Sequence, residues 1–281
     1  MTNSQWKKAP RNIEKAHRAG ETDERDKNIC WGRSPVLSLL EDDPSRCMKV
    51  TLSKTMQGSV KEKISALCRA SGIPFSTAEQ RAIESMARGE NHQGVVAVVA
   101  ASRMLGIMEA MRLLPKQPSP ALAVLLDHVQ DPRNLGAIIR SAEAAGAIFA
   151  AIPLRRSSLP TGTVVKTSAG ASLRFPLATV GNVASTAKEI KDAGLWVIGL
   201  DTEAKRSIYS EPLPARTLLV VGGEDRGLGR TTANACDETL RIPISGGAGS
   251  LNASVALSVA MFEWSRVNRA GWSTQSGYIK M

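Results

Sequence analysis

Five polar side chains of this 281-residue chain sit where chemistry could be done: Asn134, Arg140, Glu224, Ser250 and Asn252. Asn134 and Arg140 belong to residues 125–146 (LLDHVQDPRNLGAIIRSAEAAG), where the polar turn 131–134 caps a helix. Arg140 follows from the second turn of that helix, on roughly the side of Asn134. Glu224 comes directly after Gly222 and Gly223 in residues 218–229 (LLVVGGEDRGLG), and glycines there let backbone approach a ligand closely. Ser250 and Asn252 enter a helix behind the loop Gly246-Gly247-Ala248-Gly249 in residues 241–264. Asparagine offers both a donor and an acceptor, carboxylate accepts, and guanidinium holds a phosphate or a developing oxyanion. Such a set suits the orientation of a hydroxyl and the stabilisation of charge on its oxygen. Each segment taken alone also has a plain structural reading as a helix cap or a connecting turn; their conjunction does not.

The elements that must position these residues can be read from the pattern. Beyond Pro120, apolar runs at 122–127, 148–152, 196–200, 217–222 and 238–242 alternate with helical spacing at 134–145, 183–193 and 254–268. Continuous apolar strands spaced by helices predict a parallel sheet covered on both faces. Ligands of such sheets lie at the carboxyl ends of the strands, and all three polar segments follow a strand end. Ahead of Pro120 a smaller α/β unit is expected over 29–105, with helical runs at 32–40, 60–71 and 77–86, and strands at 48–52 and 94–100. A short helix at 104–111 leads to residues 114–120 (LPKQPSP), whose three prolines suit a linker over 106–120. Residues 1–28 read as a flexible basic arm, with Lys7, Lys8, Arg11, Lys15 and Arg18 set against Glu14 in its first part; 271–281 read as a tail.

Composition narrows the function. Lys and Arg number 36 against 26 Asp and Glu, a formal charge of +10 that favours a polyanionic partner, with nucleic acid first. The longest apolar runs, 94–101 and 121–126, fall well short of the roughly 18–20 residues needed to cross a bilayer, so no membrane association is expected. The N-terminus lacks the apolar core of a secretory signal, and the four cysteines show no CxxC spacing, which predicts a reducing, cytoplasmic setting. With three histidines and no Cys/His pair at ligand spacing, no metal is expected. A dinucleotide-binding oxidoreductase is disfavoured because no GxGxxG opens a helix after any strand.

Together the three polar segments resemble the motifs of the SpoU/TrmH family of RNA ribose 2'-O-methyltransferases, within the SPOUT superfamily. The resemblance covers roughly residues 29–270, because residues 31–40 and His92-Gln93-Gly94 are similar to the start and end of that family's small, ribosomal-protein-like substrate-binding domain. It implies a C-terminal trefoil knot within 121–270, S-adenosylmethionine as methyl donor, and a homodimer with its sites near the subunit interface. The implied substrate is RNA: a guanosine of large-subunit (23S) rRNA first, tRNA as the alternative, with a noncatalytic RNA-binding member as the competing class. Carried over residue by residue, the catalytic positions are Asn134, Arg140, Glu224, Ser250 and Asn252, and the cofactor positions are Gly222, Gly223, Ile242, Leu251 and Asn252. One departure is visible: Asp225-Arg226 stand after Glu224 where the family usually has a glycine, which puts the local loop shape in question. His128, beside the first motif, reads as structural. Aromatics make up only 4% of the chain, so the small domain is expected to read RNA shape and phosphates rather than stack bases.

Overall fold

A computed structural model describes residues 28–269 apart from 101–103, 156, 159, 225 and 248; the expected arm and tail lie outside the described residues, Asn28 excepted. The first unit runs β1 (Asn28–Trp31), α1 (Arg33–Asp42), β2 (Cys47–Ser53), α2 (Ser59–Ala70), β3 (Phe75–Ala78), α3 (Gln80–Met86) and β4 (Val95–Val99). Its sheet has the order β1-β4-β2-β3, with β4 antiparallel to both β1 and β2 and β3 parallel to β2. Val36, Leu39 and Leu40 of α1 and Ile64 and Cys68 of α2 fill one face, while Ile83 and Ala87 meet Trp31 and Val96 on the other. Two expectations are corrected here. The helix expected over 77–86 begins only at Gln80, because Phe75–Ala78 pairs with β2, and that tertiary pairing overrides local helical spacing. Asn28–Trp31 forms a strand on β4, burying Cys30 and Trp31.

The second unit opens at the junction of the expected small domain and linker, with β5 (Leu105–Gly106) and α4 (Ile107–Met111). It continues through β6 (Ala121–Asp127), α5 (Pro132–Ala144), β7 (Ala150–Pro153), α6 (Gly162–Thr167), α7 (Ala171–Arg174), β8 (Leu177–Val180), α8 (Val183–Asp192), β9 (Trp196–Leu200), β10 (Arg206–Ser207), β11 (Arg216–Gly222), α9 (Arg230–Ala233), β12 (Glu238–Arg241) and α10 (Ala253–Asn268). Its strands form one eight-stranded parallel sheet, ordered β10-β12-β9-β11-β6-β7-β8-β5. β6 shows why both faces are covered. Leu122, Val124 and Leu126 pack with α5 and α10, while Ala123 and Leu125 pack with α8, so every position of the strand is apolar until Asp127. The segment 105–114 is therefore not free connection: β5 pairs with β8, and Ile107, Met111 and Leu114 rest on the α8 face.

The strand order sets the position of the site. From β6 the chain steps outward through β7 and β8, then crosses by α8 to β9 on the far side, and β11 inserts between β9 and β6. The winding thus reverses next to β6, and the loops after β6 and β11 face each other at that reversal, where ligands of open parallel sheets bind.

Candidate active site

β6 ends in Asp127, 4% exposed, the charge that closes an otherwise apolar strand. One carboxylate oxygen lies 2.5 Å from His128 Nδ1 and the other accepts the Gly229 N–H at 3.0 Å, which ties the loop after β6 to the loop after β11. The next turn starts α5 with Pro132 in its first turn, its ring pre-set to helical φ, while Asp131 accepts the Arg133 N–H at 2.8 Å as N-cap. That entry buries Asn134 beneath the loop after β11.

Gly222 and Gly223 are required by close approach. A Cβ on Gly222 would overlap the backbone of Gly227 and Leu228, and one on Gly223 would come within 2.8 Å of the His128 carbonyl oxygen. The turn between them and Gly227 closes with the Gly227 N–H donating to the Gly223 carbonyl at 2.9 Å, Gly227 taking φ +60°, and Glu224 at its tip. The motif departure at Asp225-Arg226 thus leaves a closed turn; Asp225 lies outside the described residues.

Glu224 is where the three segments meet. Its Oε1 accepts from Asn134 Nδ2 and, at 2.5 Å, from Asn252 Nδ2, which also donates to Asn134 Oδ1 at 3.1 Å. The remaining atom of the second amide, Asn252 Oδ1, caps α10 by accepting the Ser254 and Val255 N–H groups at 2.9 and 3.4 Å and the Ser254 hydroxyl at 2.6 Å. Each amide is thereby fixed in orientation through its own hydrogen bonds. Ser254, buried beside Asn134, completes this cluster and was not read from the sequence; its signal is its place two residues after a capping asparagine.

Two clefts flank the cluster. The first is an open cleft of about 770 Å³, a space that includes the solvent at its mouth. Leu200, Val221, Leu240, Ile242 and Leu251 give it apolar walls, with Asp201, Thr202, Glu224 and Ser250 as polar side chains alongside Gly222 and Gly223. The second, about 2020 Å³, is polar and two-signed, lined by Asp127, His128, Asn134, Glu224, Arg155 and Arg226 among others. The clefts share Gly223, Glu224 and Gly227. Of the expected site residues, Gly222, Gly223, Ile242, Ser250 and Leu251 line the first cleft, and Asn134, Glu224 and Asn252 form the cluster. Arg140 is not brought in: it is exposed on α5, lines neither cleft, and makes no hydrogen bond or ion pair among the described residues. Asn252 faces the cluster and is absent from the walls of the first cleft. Sequence reading passed over Asp127 and Arg155, and Arg226, singled out only as a departure from the motif, stands exposed on the second cleft. Among the described residues no group of three His, Cys, Asp or Glu side chains is placed to hold a metal ion, and no helix is long and apolar enough to cross a membrane.

Comparison with known proteins gives the arrangement a context. Residues 121–262 match the SpoU rRNA Methylase family, and residues 29–105 match the family described as RNA 2'-O ribose methyltransferase substrate binding. The chain is 36% identical over 233 residues to the 23S rRNA (guanosine-2'-O-)-methyltransferase RlmB of Pseudomonas putida, covering 83% of this chain and 94% of that one. It is 38% identical over 232 residues to the protein of the same name from Xanthomonas campestris, covering 83% and 93%. Among solved structures, the AdoMet-bound rRNA methyltransferase from Sinorhizobium meliloti superposes with a TM-score of 0.70 at 24% identity, over 88% of this chain and 90% of that one. The SpoU methyltransferase AviRb from Streptomyces viridochromogenes, in complex with AdoMet, gives 0.67 at 24% identity over 85% and 89%.

Proposed function

This chain belongs to the SpoU rRNA methylase family, and from that premise we propose that it transfers a methyl group from S-adenosylmethionine to the ribose 2'-hydroxyl of a guanosine in 23S rRNA. The observation that carries the reading is the cluster of Asn134, Glu224 and Asn252, in which amides from the first turn of α5 and the N-cap of α10 meet on one carboxylate oxygen of the loop after β11, where the two clefts adjoin. The first cleft fits the methyl donor: its aliphatic walls suit the adenine, and the carboxylates of Asp201 and Glu224 suit a ribose and a sulfonium cation. Gly222, Gly223, Ile242 and Leu251 are the residues that would hold it, with Asn252 fixing Glu224 from behind. Bound there, S-adenosylmethionine supplies an electrophilic methyl group.

What the chain itself contributes is position and charge. A ribose hydroxyl is a weak nucleophile, so alignment with the methyl group and relief of its proton dominate the barrier. Asn134 and Asn252 lock the Glu224 carboxylate in place, and Ser250 adds a hydroxyl to the wall of the donor cleft. Arg140 holds a substrate phosphate and stabilises the oxygen as its charge develops; a guanidinium has no free acceptor with which to take a proton. Its exposure on α5 fits a homodimer whose sites lie near the subunit interface. The trefoil knot belongs to the same reading, supported by the insertion of β11 between β9 and β6 and by the return of the chain through β12 to α10, which packs on α5. Residues 29–105 are read as the RNA substrate-binding domain and 121–270 as the methyltransferase domain, acting in the cytoplasm.

The test is transfer of radiolabelled methyl from S-adenosylmethionine to rRNA and to tRNA, each taken from cells lacking this enzyme. Label at one ribose 2'-oxygen of large-subunit rRNA is expected, and Arg140→Ala should lose it while binding the methyl donor normally. Label in tRNA alone overturns the substrate, and full-rate transfer by Arg140→Ala overturns the role given to Arg140.

A further inference from the structure

His128 lies outside the residues that the family reading employs, and three observations about it converge. Its backbone takes φ +64°, in the left-handed region where residues bearing a side chain are uncommon. The Nδ1 atom sits 2.5 Å from a carboxylate oxygen of buried Asp127, whose other oxygen is held by the Gly229 N–H. The side chain is nonetheless 46% exposed, on the wall of the polar cleft that it shares with Asn134 and Glu224. A carboxylate only accepts, so Nδ1 carries the ring proton, and in the neutral ring Nε2 is left as an acceptor. The backbone of His128 also abuts Gly223, which lines both clefts, so the residue stands on the polar cleft next to the turn where the two clefts meet.

We propose that His128 is a further catalytic residue, accepting the proton of the target 2'-hydroxyl while Asp127 orients the ring and balances the imidazolium; the proposal rests on the methyl-transfer reading given above. The O–H bond breaks toward Nε2 as the new O–C bond forms and the C–S bond of the donor breaks, and the proton then leaves the exposed ring for solvent. Neighbouring groups are less suited to the task. The carboxylates of Glu224 and Asp131 on the same cleft are intrinsically weaker bases than an imidazole, Glu224 Oε1 is already occupied by two amide donors, and Arg155 and Arg226 can only donate. This pairing of a histidine with a buried carboxylate behind it is the arrangement by which an imidazole is held in one tautomer for proton transfer.

The decisive variant is His128→Gly, because glycine adopts φ +64° freely and the substitution removes the ring without adding backbone strain. Its affinities for S-adenosylmethionine and for the RNA are expected to match the parent protein, while its urea midpoint falls modestly because buried Asp127 loses one of its two donors. Single-turnover methyl transfer should fall by about 100-fold or more, the scale of a lost general base, and added imidazole should restore it in proportion to concentration. Nitrogen NMR of the free protein adds a readout independent of turnover: the neutral His128 ring should carry its proton on Nδ1, and Asp127→Asn should release that preference. A His128→Gly protein that keeps its rate, a loss that imidazole does not repair, or a proton resident on Nε2 each overturns the proposal. A parent protein inert toward every RNA while still binding the methyl donor overturns the reaction reading itself, and the two failures are thereby told apart.

Discussion

At the scale of single residues, the cluster around Glu224 combines a buried amide with an exposed carboxylate, and the asymmetry decides what each substitution costs. Glu224→Ala leaves the Asn134 amide, 9% exposed, without its acceptor, so a loss of about 1–3 kcal/mol in stability is expected by urea denaturation. Glu224→Gln keeps an acceptor and should cost clearly less, although it removes the charge that strengthens both bonds. An equal cost for the two substitutions would place the stabilisation in the charge and not in the hydrogen bonds. The cysteines follow a different rule. Cys30 and Cys47 lie in the core of the first unit, and burial pushes each thiol from 9.0 up to about 12, with a neighbouring sulfur adding to the effect. A group whose pKa is raised on folding contributes stability that is complete below its unfolded value and is lost as pH climbs toward the folded one. The urea midpoint is therefore expected to hold steady up to about pH 9 and to fall between about 9 and 12. Cys30→Ala should soften that fall, and alkylation of the native protein at pH 8 should be slow.

At the scale of elements, α5 must lie against α6 closely enough to bring Asn134 under the loop after β11, and Gly136 is what permits it. A Cβ on Gly136 would lie 2.8 Å from the Thr167 Cβ and 3.1 Å from the Ser168 nitrogen. Helix propensity alone predicts that Gly136→Ala stabilises by about 1 kcal/mol, whereas overpacking a tight contact costs about 1–3 kcal/mol. Packing wins, so Gly136→Ala is expected to lower the unfolding free energy by up to about 2 kcal/mol, and a gain instead would show that α5 and α6 can part. The same contrast between local and distant forces explains which elements were legible in the sequence. β6, β9 and β11 are long apolar runs, and α8 has clean amphipathic spacing, so their types were fixed locally. β10 is two residues, Arg206–Ser207, and exists only because β12 lies beside it; β1 follows a highly charged stretch that masks it; and β3 is made a strand by β2. The types of the site residues and their place at strand ends were legible, but the hydrogen bonds among them were not, because these depend on β11 settling between β9 and β6. A positive φ leaves no local signature either, which is why His128 read as structural until its partner and its cleft were seen.

At the scale of the whole molecule, two cores are joined by a contact that is partly charged and partly apolar, and magnitudes separate the contributions. Arg174, held by Glu143 of its own unit through two bonds of 2.6 and 2.8 Å, reaches Asp42 of α1 at 3.1 Å, and Lys166 reaches Glu90 at 3.3 Å, but all of these groups are solvated and each pair is worth about 0–1 kcal/mol. The apolar side is stronger. Val165 and Leu173 of the second unit are 3% and 6% exposed within the core of the first, and Gly162 lies so close to the Trp31 ring that a Cβ would overlap it. Each unit therefore completes the burial of the other, and calorimetry of the intact chain is expected to give one cooperative transition. Arg174→Ala should leave that transition single and shift it little. Leu173→Ala removes apolar bulk from a shared core, at a cost of about 2–5 kcal/mol, and Gly162→Val forces the Trp31 contact apart; both should split the melt in two, with the first unit unfolding earlier. Two transitions in the parent protein would mean that the apolar contact does not couple the units.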